Sequence, residues 1–281
     1  MSWEKEVGEL GQRRAMAEKM GGEEKVARQH SRGKMDAGAR LAGVVDPGSF
    51  REIGKIAGRG KYGADGELED LAASNFIFGR ANIEGRPVVA SADDFTVRGG
   101  AADAALHRKF VQCEAMAHEY RLPLIRMIDG TGGGGSVKTL EDMGYTYIPH
   151  VPGWDQIIAN LDTVPVVALA LGPTAGLGAA RVVASHYSVM VRGLSQLFAA
   201  GPAVAAAIGD TLDREELGGS DVHTRNGVVD DEVASEAEAF TAARRFLSYL
   251  PSSIHDRAQR TPCSDPVDRR DEALLSIVPR E

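Results

Sequence analysis

The chain has only two cysteines, Cys113 and Cys263, among 281 residues. That is too few for a disulfide framework or a thiolate zinc site, and it reads as a protein of a reducing cytoplasm. No apolar run approaches the roughly 20 residues that span a bilayer. The opening segment, Met1-Ser2-Trp3-Glu4-Lys5-Glu6, lacks the apolar stretch of a signal peptide. A basic excess is missing too: the net charge is −8, whereas nucleic-acid binders carry a surplus of Lys and Arg. Nucleic acid and membrane are therefore not expected as partners. The histidines (His30, His107, His118, His150, His186, His223 and His255) do not pair at metal-ligand spacing, so no metal is expected. No serine sits in the Gly-x-Ser-x-Gly turn that exposes a hydrolase nucleophile.

Glycine is present in quantity, 33 residues without a period, and this points to loop chemistry. One glycine stretch organises the rest. The apolar run Val164 to Leu171 leads into Gly172-Pro173-Thr174-Ala175-Gly176-Leu177-Gly178, and a small-residue run, Ala179 to Ala184, leads out. Strand, glycine turn and helix is the simplest reading, with Pro173 expected to end the hydrogen bonding of the strand. The first N–H groups of such a helix have no intrahelical acceptor and can hold a negative oxygen. A second glycine loop, Asp129 to Gly135, also follows an apolar run, Leu122 to Ile128. The two loops are expected to face one another across a ligand whose oxygen becomes charged. Two phosphate-binding motifs are near misses. Gly133-Gly134-Gly135-Ser136-Val137-Lys138-Thr139 has Val137 where a P-loop needs glycine before its lysine. Gly176-Leu177-Gly178-Ala179-Ala180 lacks both the third glycine and the later acidic residue of a dinucleotide fold. Oxyanion donors without an obvious nucleophile or base suit a reaction whose base comes from a cofactor.

Along the chain, residues 4 to 34 read as charged helix, either a solvated arm or a basic arm that meets phosphates. Asp46-Pro47-Gly48-Ser49 reads as a turn, and residues 54 to 74 as a surface excursion. Asn75 to Ala81 and Arg86 to Asp93 read as two strands of a hairpin joined by Asn82-Ile83-Glu84-Gly85. Asp94 to Gly100 is a loop, and Ala101 to Tyr120 a helix with Leu106, Phe110, Cys113 and Ala117 on one face. Trp154 to Leu161 is a short helix, and His186 to Val191 and Ser195 to Ala199 are short strands. Pro202 starts a helix, and Ser235 to Leu250 is an amphipathic helix stopped by Pro251. Alternating strands and helices give an α/β class. Residues 252–281 read as a polar linker or tail that ends in the apolar run Ala273 to Val278.

Several of these segments, in this order, carry a resemblance. They are Asp46-Pro47-Gly48-Ser49-Phe50, Asp94-Phe95-Thr96-Val97-Arg98-Gly99-Gly100, Gly172-Pro173-Thr174-Ala175-Gly176, Glu216-Leu217-Gly218-Gly219, Val222-His223-Thr224 and Phe246-Leu247-Ser248-Tyr249-Leu250-Pro251. From about Gly33 to Pro251 the chain resembles the N-terminal half of the biotin-dependent acyl-CoA carboxyltransferase subunit, of the propionyl-CoA carboxylase beta type. The resemblance implies a crotonase-like fold, a spiral of ββα units. The expected organisation is a helical arm over 1–34, a single crotonase-like domain over 35–251 and a tail over 252–281. It implies an acyl-CoA substrate, and biotin as carboxybiotin on a separate carrier protein. In such enzymes the thioester oxygen becomes negative as the enolate forms, and backbone N–H groups stabilise it. By resemblance the donors are Gly176 and Leu177, with Gly132 and Gly133 from the second loop. Lys34, Arg40, Gly99, Gly100, Thr131, Gly134, Thr174 and Ala175 would bind the acyl-CoA. The expected partners are a biotin carboxylase or biotin carrier subunit and a second carboxyltransferase half, in a homo- or hetero-oligomer. A decarboxylase of the same fold and a noncatalytic assembly subunit are the alternatives. Two departures are visible: Leu177 stands where the family has a second glycine, and the Gly130–Gly134 loop lacks the family's arginine.

Overall fold

A computed structural model describes residues 2–278 except 102–105, 131–140, 142–143, 146–151, 208, 210, 259 and 261. Three helices open the chain: α1 (Glu4–Glu18), α2 (Glu23–His30) and α3 (Ala37–Val44). The arm is thus helical as expected, but it is not free in solvent. Its break at Met20-Gly21-Gly22 is docked by the Gly21 N–H, which donates to Thr96 Oγ1 at 2.9 Å, and Ala17 of α1 is buried.

The strands are β1 (Arg51–Glu52), β2 (Gly58–Tyr62), β3 (Leu68–Ala73), β4 (Phe76–Ile83), β5 (Arg86–Asp93), β6 (Leu124–Gly130), β7 (Val166–Ala175), β8 (Tyr187–Val191), β9 (Gln196–Phe198) and β10 (Asp231–Val233). The main sheet runs β1-β4-β5-β6-β7-β8-β10, with β9 on β7. β2 and β3 form a separate exposed hairpin in the segment read as a surface excursion. The β4–β5 hairpin turns at Glu84 and Gly85, both at positive φ. The Asp46 carboxylate holds their two N–H groups at 2.8 Å each, so the Asp46-Pro47-Gly48-Ser49 motif serves the hairpin.

From β5 onward the main sheet is parallel, and such strands are covered on both faces and read as continuous apolar runs. Every residue of β6 is buried. One face carries α3 and the amphipathic helix near the C-terminus, Glu236–Ser248, which supplies Phe240, Ala243 and Leu247. The other carries α4 (His107–Tyr120) and α5 (Trp154–Leu161), which supply Phe110, Cys113, Ala117 and Ile157. Helix α6 (Leu177–Val183) follows β7, and α7 (Pro202–Ala207), α8 (Arg214–Gly218), α9 (Ser220–Arg225) and α10 (Glu236–Ser248) complete the order. Among the described residues beyond Pro251 the regular structure is one 3-10 turn, Glu272–Ser276, with Leu275 and Val278 exposed. No helix of the described residues is long and apolar enough to cross a membrane.

One local expectation is corrected. Pro173 does not end its strand. β7 pairs with β8 through Ala170 and then continues to Ala175 on β9, with Pro173 opposite Gln196. The proline stands where the strand changes neighbours, so its missing N–H interrupts no single continuous ladder.

Candidate active site

The site lies at the C-terminal ends of β6 and β7. These strands are parallel neighbours, and Gly130 stands opposite Thr174 in register. The ends of these two strands therefore lie side by side. Thr131, Gly132, Gly133 and Gly134 lie outside the described residues. The other turn is built residue by residue. A Cβ at Gly172 would sit 2.1 Å from Asp129 Oδ1 and 2.5 Å from Lys34 Nζ, so only glycine leaves room for that ion pair. Thr174 is fully buried, its hydroxyl donating to the Gly172 carbonyl at 3.1 Å. Gly176 turns the chain at φ 59°, ψ −121°, a conformation that L side chains avoid.

One expected donor is already engaged. The Gly176 N–H donates to the Phe198 carbonyl at 3.0 Å, so it closes the turn onto β9. The first intrahelical bond runs from Ala180 N–H to the Gly176 carbonyl. Leu177, Gly178 and Ala179, the first three positions of α6, are the residues whose N–H groups have no intrahelical acceptor. Nothing in the sequence pattern distinguishes the Gly176 N–H from the Leu177 N–H, because the β9 partner is distant in the chain.

Beneath the turns is a buried charge cluster. The Lys34 ammonium lies 2.7 Å from Asp129 Oδ1 and 2.6 Å from Oδ2, and 4.4 Å from the Phe95 ring centroid. Arg40 grips Asp129 Oδ2 through Nη1 at 2.7 Å, Glu236 through Nε at 3.0 Å and Nη2 at 2.7 Å, and the Leu171 carbonyl at 2.7 Å. Burial lowers the Lys34 pKa, against the pull of Asp129. Burial works against charge on Arg40 as well, but Glu236 and Asp129 outweigh it and raise its pKa. Arg40 is completely enclosed, so it braces the site from below and does not line the cavity. Asp129 and Glu236 escape a reading by sequence, although a carboxylate ending an apolar strand is a signal for Asp129.

Two cavities share the Lys34 wall. The larger, about 870 Å³, is lined by Ala175, Pro173, Gln196, Phe198, Phe95 and Arg32 among others. The smaller, about 260 Å³, is lined by Lys25, Arg28, Arg32, Lys34, Arg98 and Gly99, with no acidic residue on its wall. Arg32, Lys34 and Phe95 belong to both. Gly100 packs against the end of β6, where a Cβ would lie 2.6 Å from the Asp129 carbonyl. A basic lobe joined to a larger, mostly apolar chamber suits a ligand with phosphates at one end and an uncharged reactive end.

This architecture, a mainly parallel sheet flanked by helices with a cavity at the C-terminal end of β7, is the crotonase-like fold. The chain belongs to the carboxyl transferase domain family, which it matches over residues 28–281. It is 31% identical over 284 residues to a propionyl-CoA carboxylase carboxyltransferase subunit of Haloferax mediterranei, covering 99% of this chain and 54% of that one. Against the human mitochondrial propionyl-CoA carboxylase beta chain it is 31% identical over 266 residues, covering 93% and 48%. Against methylmalonyl-CoA decarboxylase subunit alpha of Veillonella parvula it is 29% identical, covering 92% and 50%. The solved transcarboxylase 12S, a hexamer with methylmalonyl-coenzyme A bound, is similar with a TM-score of 0.77 at 28% identity, over 99% of this chain and 53% of that one. The chain spans about half the length of the curated relatives it matches.

Proposed function

We propose that this chain is the acyl-CoA-binding part of a biotin-dependent acyl-CoA carboxyltransferase. The observation that carries the reading is the pair of joined cavities, one basic and one beside the Gly176 turn. Lys25, Arg28, Arg32, Lys34 and the Arg98-Gly99 turn hold the phosphates of CoA. The arm extends through Phe95 toward Ala175, which brings the thioester oxygen to the start of α6. There the Leu177 and Gly178 N–H groups stabilise the enolate charge, a contribution of about 10²–10³ in rate per donor. Residues 35–251 act as the catalytic body.

Bound biotin, carried on a separate protein, supplies the carboxyl group, and the residues that hold it come from a second carboxyltransferase half or chain. The same enolate serves a decarboxylase, and the likeness to the Veillonella subunit gives that direction a specific basis; product analysis with labelled bicarbonate separates the two.

The test begins with binding. Propionyl-CoA at about 100 times its dissociation constant should stabilise the protein by about 2.7 kcal/mol, read as a rise in Tm. No rise at millimolar ligand overturns the reading. Leu177→Pro then removes one N–H at the first helical position, where proline fits. It should keep that rise and lower carboxyl transfer about 10²–10³-fold in the complex assembled with its partner chains.

A further inference from the structure

A third cavity, about 560 Å³, shares no lining residue with the two above. It sits where α1, α3, β1 and α4 meet. Leu41, Val45, Phe50 and Ile77 give it an apolar wall. Its volume falls within the range of small-molecule pockets, roughly 300–1,000 Å³.

Most polar groups on its wall already have partners. Asp46 holds the Glu84 and Gly85 N–H groups, and Asp94 holds the N–H and hydroxyl of Thr96. Glu18 pairs with Lys55 at 2.6 Å, and Arg51 donates to the Gly48 and Phe50 carbonyls. Lys109 differs. Its side chain is only 7% exposed, and its one ion pair among the described residues is to Glu52 at 3.6 Å. That is too long for a good hydrogen bond, and the ammonium has three protons to place. Burial lowers the Lys109 pKa and raises that of Glu52, against the pull each exerts on the other. An anionic ligand would meet the Glu52 carboxylate, and a cationic one the Lys109 ammonium. A neutral group that accepts from the ammonium and donates to the carboxylate meets both.

We propose that this cavity is a second small-molecule site, separate from the acyl-CoA cavity, for an apolar molecule that ends in a carboxamide. The amide oxygen accepts from Lys109 Nζ, its N–H donates to Glu52, and the apolar body lies along Leu41, Val45, Phe50 and Ile77. The occupant bridges α4, β1 and the arm.

Octanamide is the probe, titrated into the 281-residue chain by calorimetry, with octanoate and octylamine as charged comparators. Octanamide should bind with a dissociation constant about tenfold below either comparator, as expected when each charged head leaves one buried partner unmatched. Methyl NOEs from the octyl chain should reach Leu41 and Ile77. Ala42→Trp, on the exposed rim of the cavity, should abolish binding with the Tm of the free protein unchanged. Lys109→Met combined with Glu52→Gln should retain binding of the octyl chain and erase the preference among the three heads. Absence of saturable octanamide binding, equal affinity for the three probes, NOEs to other residues, or full affinity in Ala42→Trp would each overturn the proposal.

Discussion

Among the described residues two arginines are completely buried, one on each face of the sheet, and they do different things. Arg126 points from β6 toward α4, where Glu114 takes its Nε at 2.9 Å and its Nη2 at 2.7 Å. Its Nη1 closes the end of α6 through the Ala184 carbonyl at 2.6 Å. Glu114 also accepts from Asn160 of α5 at 2.9 Å. This cluster fastens helices to sheet and ends there. Arg40 reaches carboxylates at Asp129 and Glu236, far away in the chain, and Asp129 is shared with Lys34. Lys34 opens onto both cavities of the candidate site. The same bidentate chemistry therefore holds up the fold on one face and the binding site on the other.

Breaking each cluster should separate those roles. Arg126→Met leaves Glu114 charged and buried, at a cost of about 3–5 kcal/mol in urea unfolding. Adding Glu114→Gln should recover much of that loss, because the uncompensated charge is the main penalty. Below its lowered Tm, Arg126→Met should still show the propionyl-CoA-dependent rise. Arg40→Met should cost at least as much, since it strips a partner from two carboxylates. It should also reduce the propionyl-CoA effect, because Asp129 and Lys34 shift with it. Equal ligand responses in the two variants would erase the distinction.

Gly172→Ala probes the same cluster with a smaller change. Its methyl would enter the space between Asp129 and Lys34, and overpacking of this kind costs about 1–3 kcal/mol. The expected readout is a lower urea midpoint together with weaker propionyl-CoA binding. A loss of stability with unchanged affinity would show that the Lys34–Asp129 pair serves packing alone.

Gly172 also marks where reading by sequence stops. The alternation of apolar runs with helical periods makes the α/β class legible, and the expected helix from Trp154 to Leu161 is matched at both ends. The motif order identifies the family before any geometry is known. What cannot be read is the use of each glycine. Gly172 is required by an ion pair whose members lie far off in the chain, and Gly176 gives its N–H to Phe198. Arg40 shows the same limit from the polar side. By resemblance it is expected to bind the acyl-CoA, yet carboxylates brought in by β6 and α10 enclose it. Local pattern records which residues turn or alternate; it does not record partners that only the fold brings near.

The smallest expected effect lies at the edge of the Arg40 cluster. Asp36 caps α3, its Oδ1 accepting from the Ala39 N–H at 2.8 Å, and its Oδ2 meets His30 Nε2 of α2 at 2.9 Å. Burial opposes charge there, but the Ala39 N–H and His30 outweigh it and hold the carboxyl below its ordinary value of 3.8. A folded pKa below the unfolded one means that the unfolded chain binds more protons on acidification. The stabilisation is therefore full above about pH 4 and fades as the pH drops through the folded value. Asp36→Ala should cost about 1 kcal/mol at pH 7, the usual loss for a helix cap. Asp36→Asn keeps a capping oxygen and should cost only a few tenths. In both variants the gap to the parent protein should narrow below about pH 4, as measured by urea midpoints at and below that pH. A gap that widens on acidification would mean that the Asp36 carboxyl is raised, with burial outweighing its two partners.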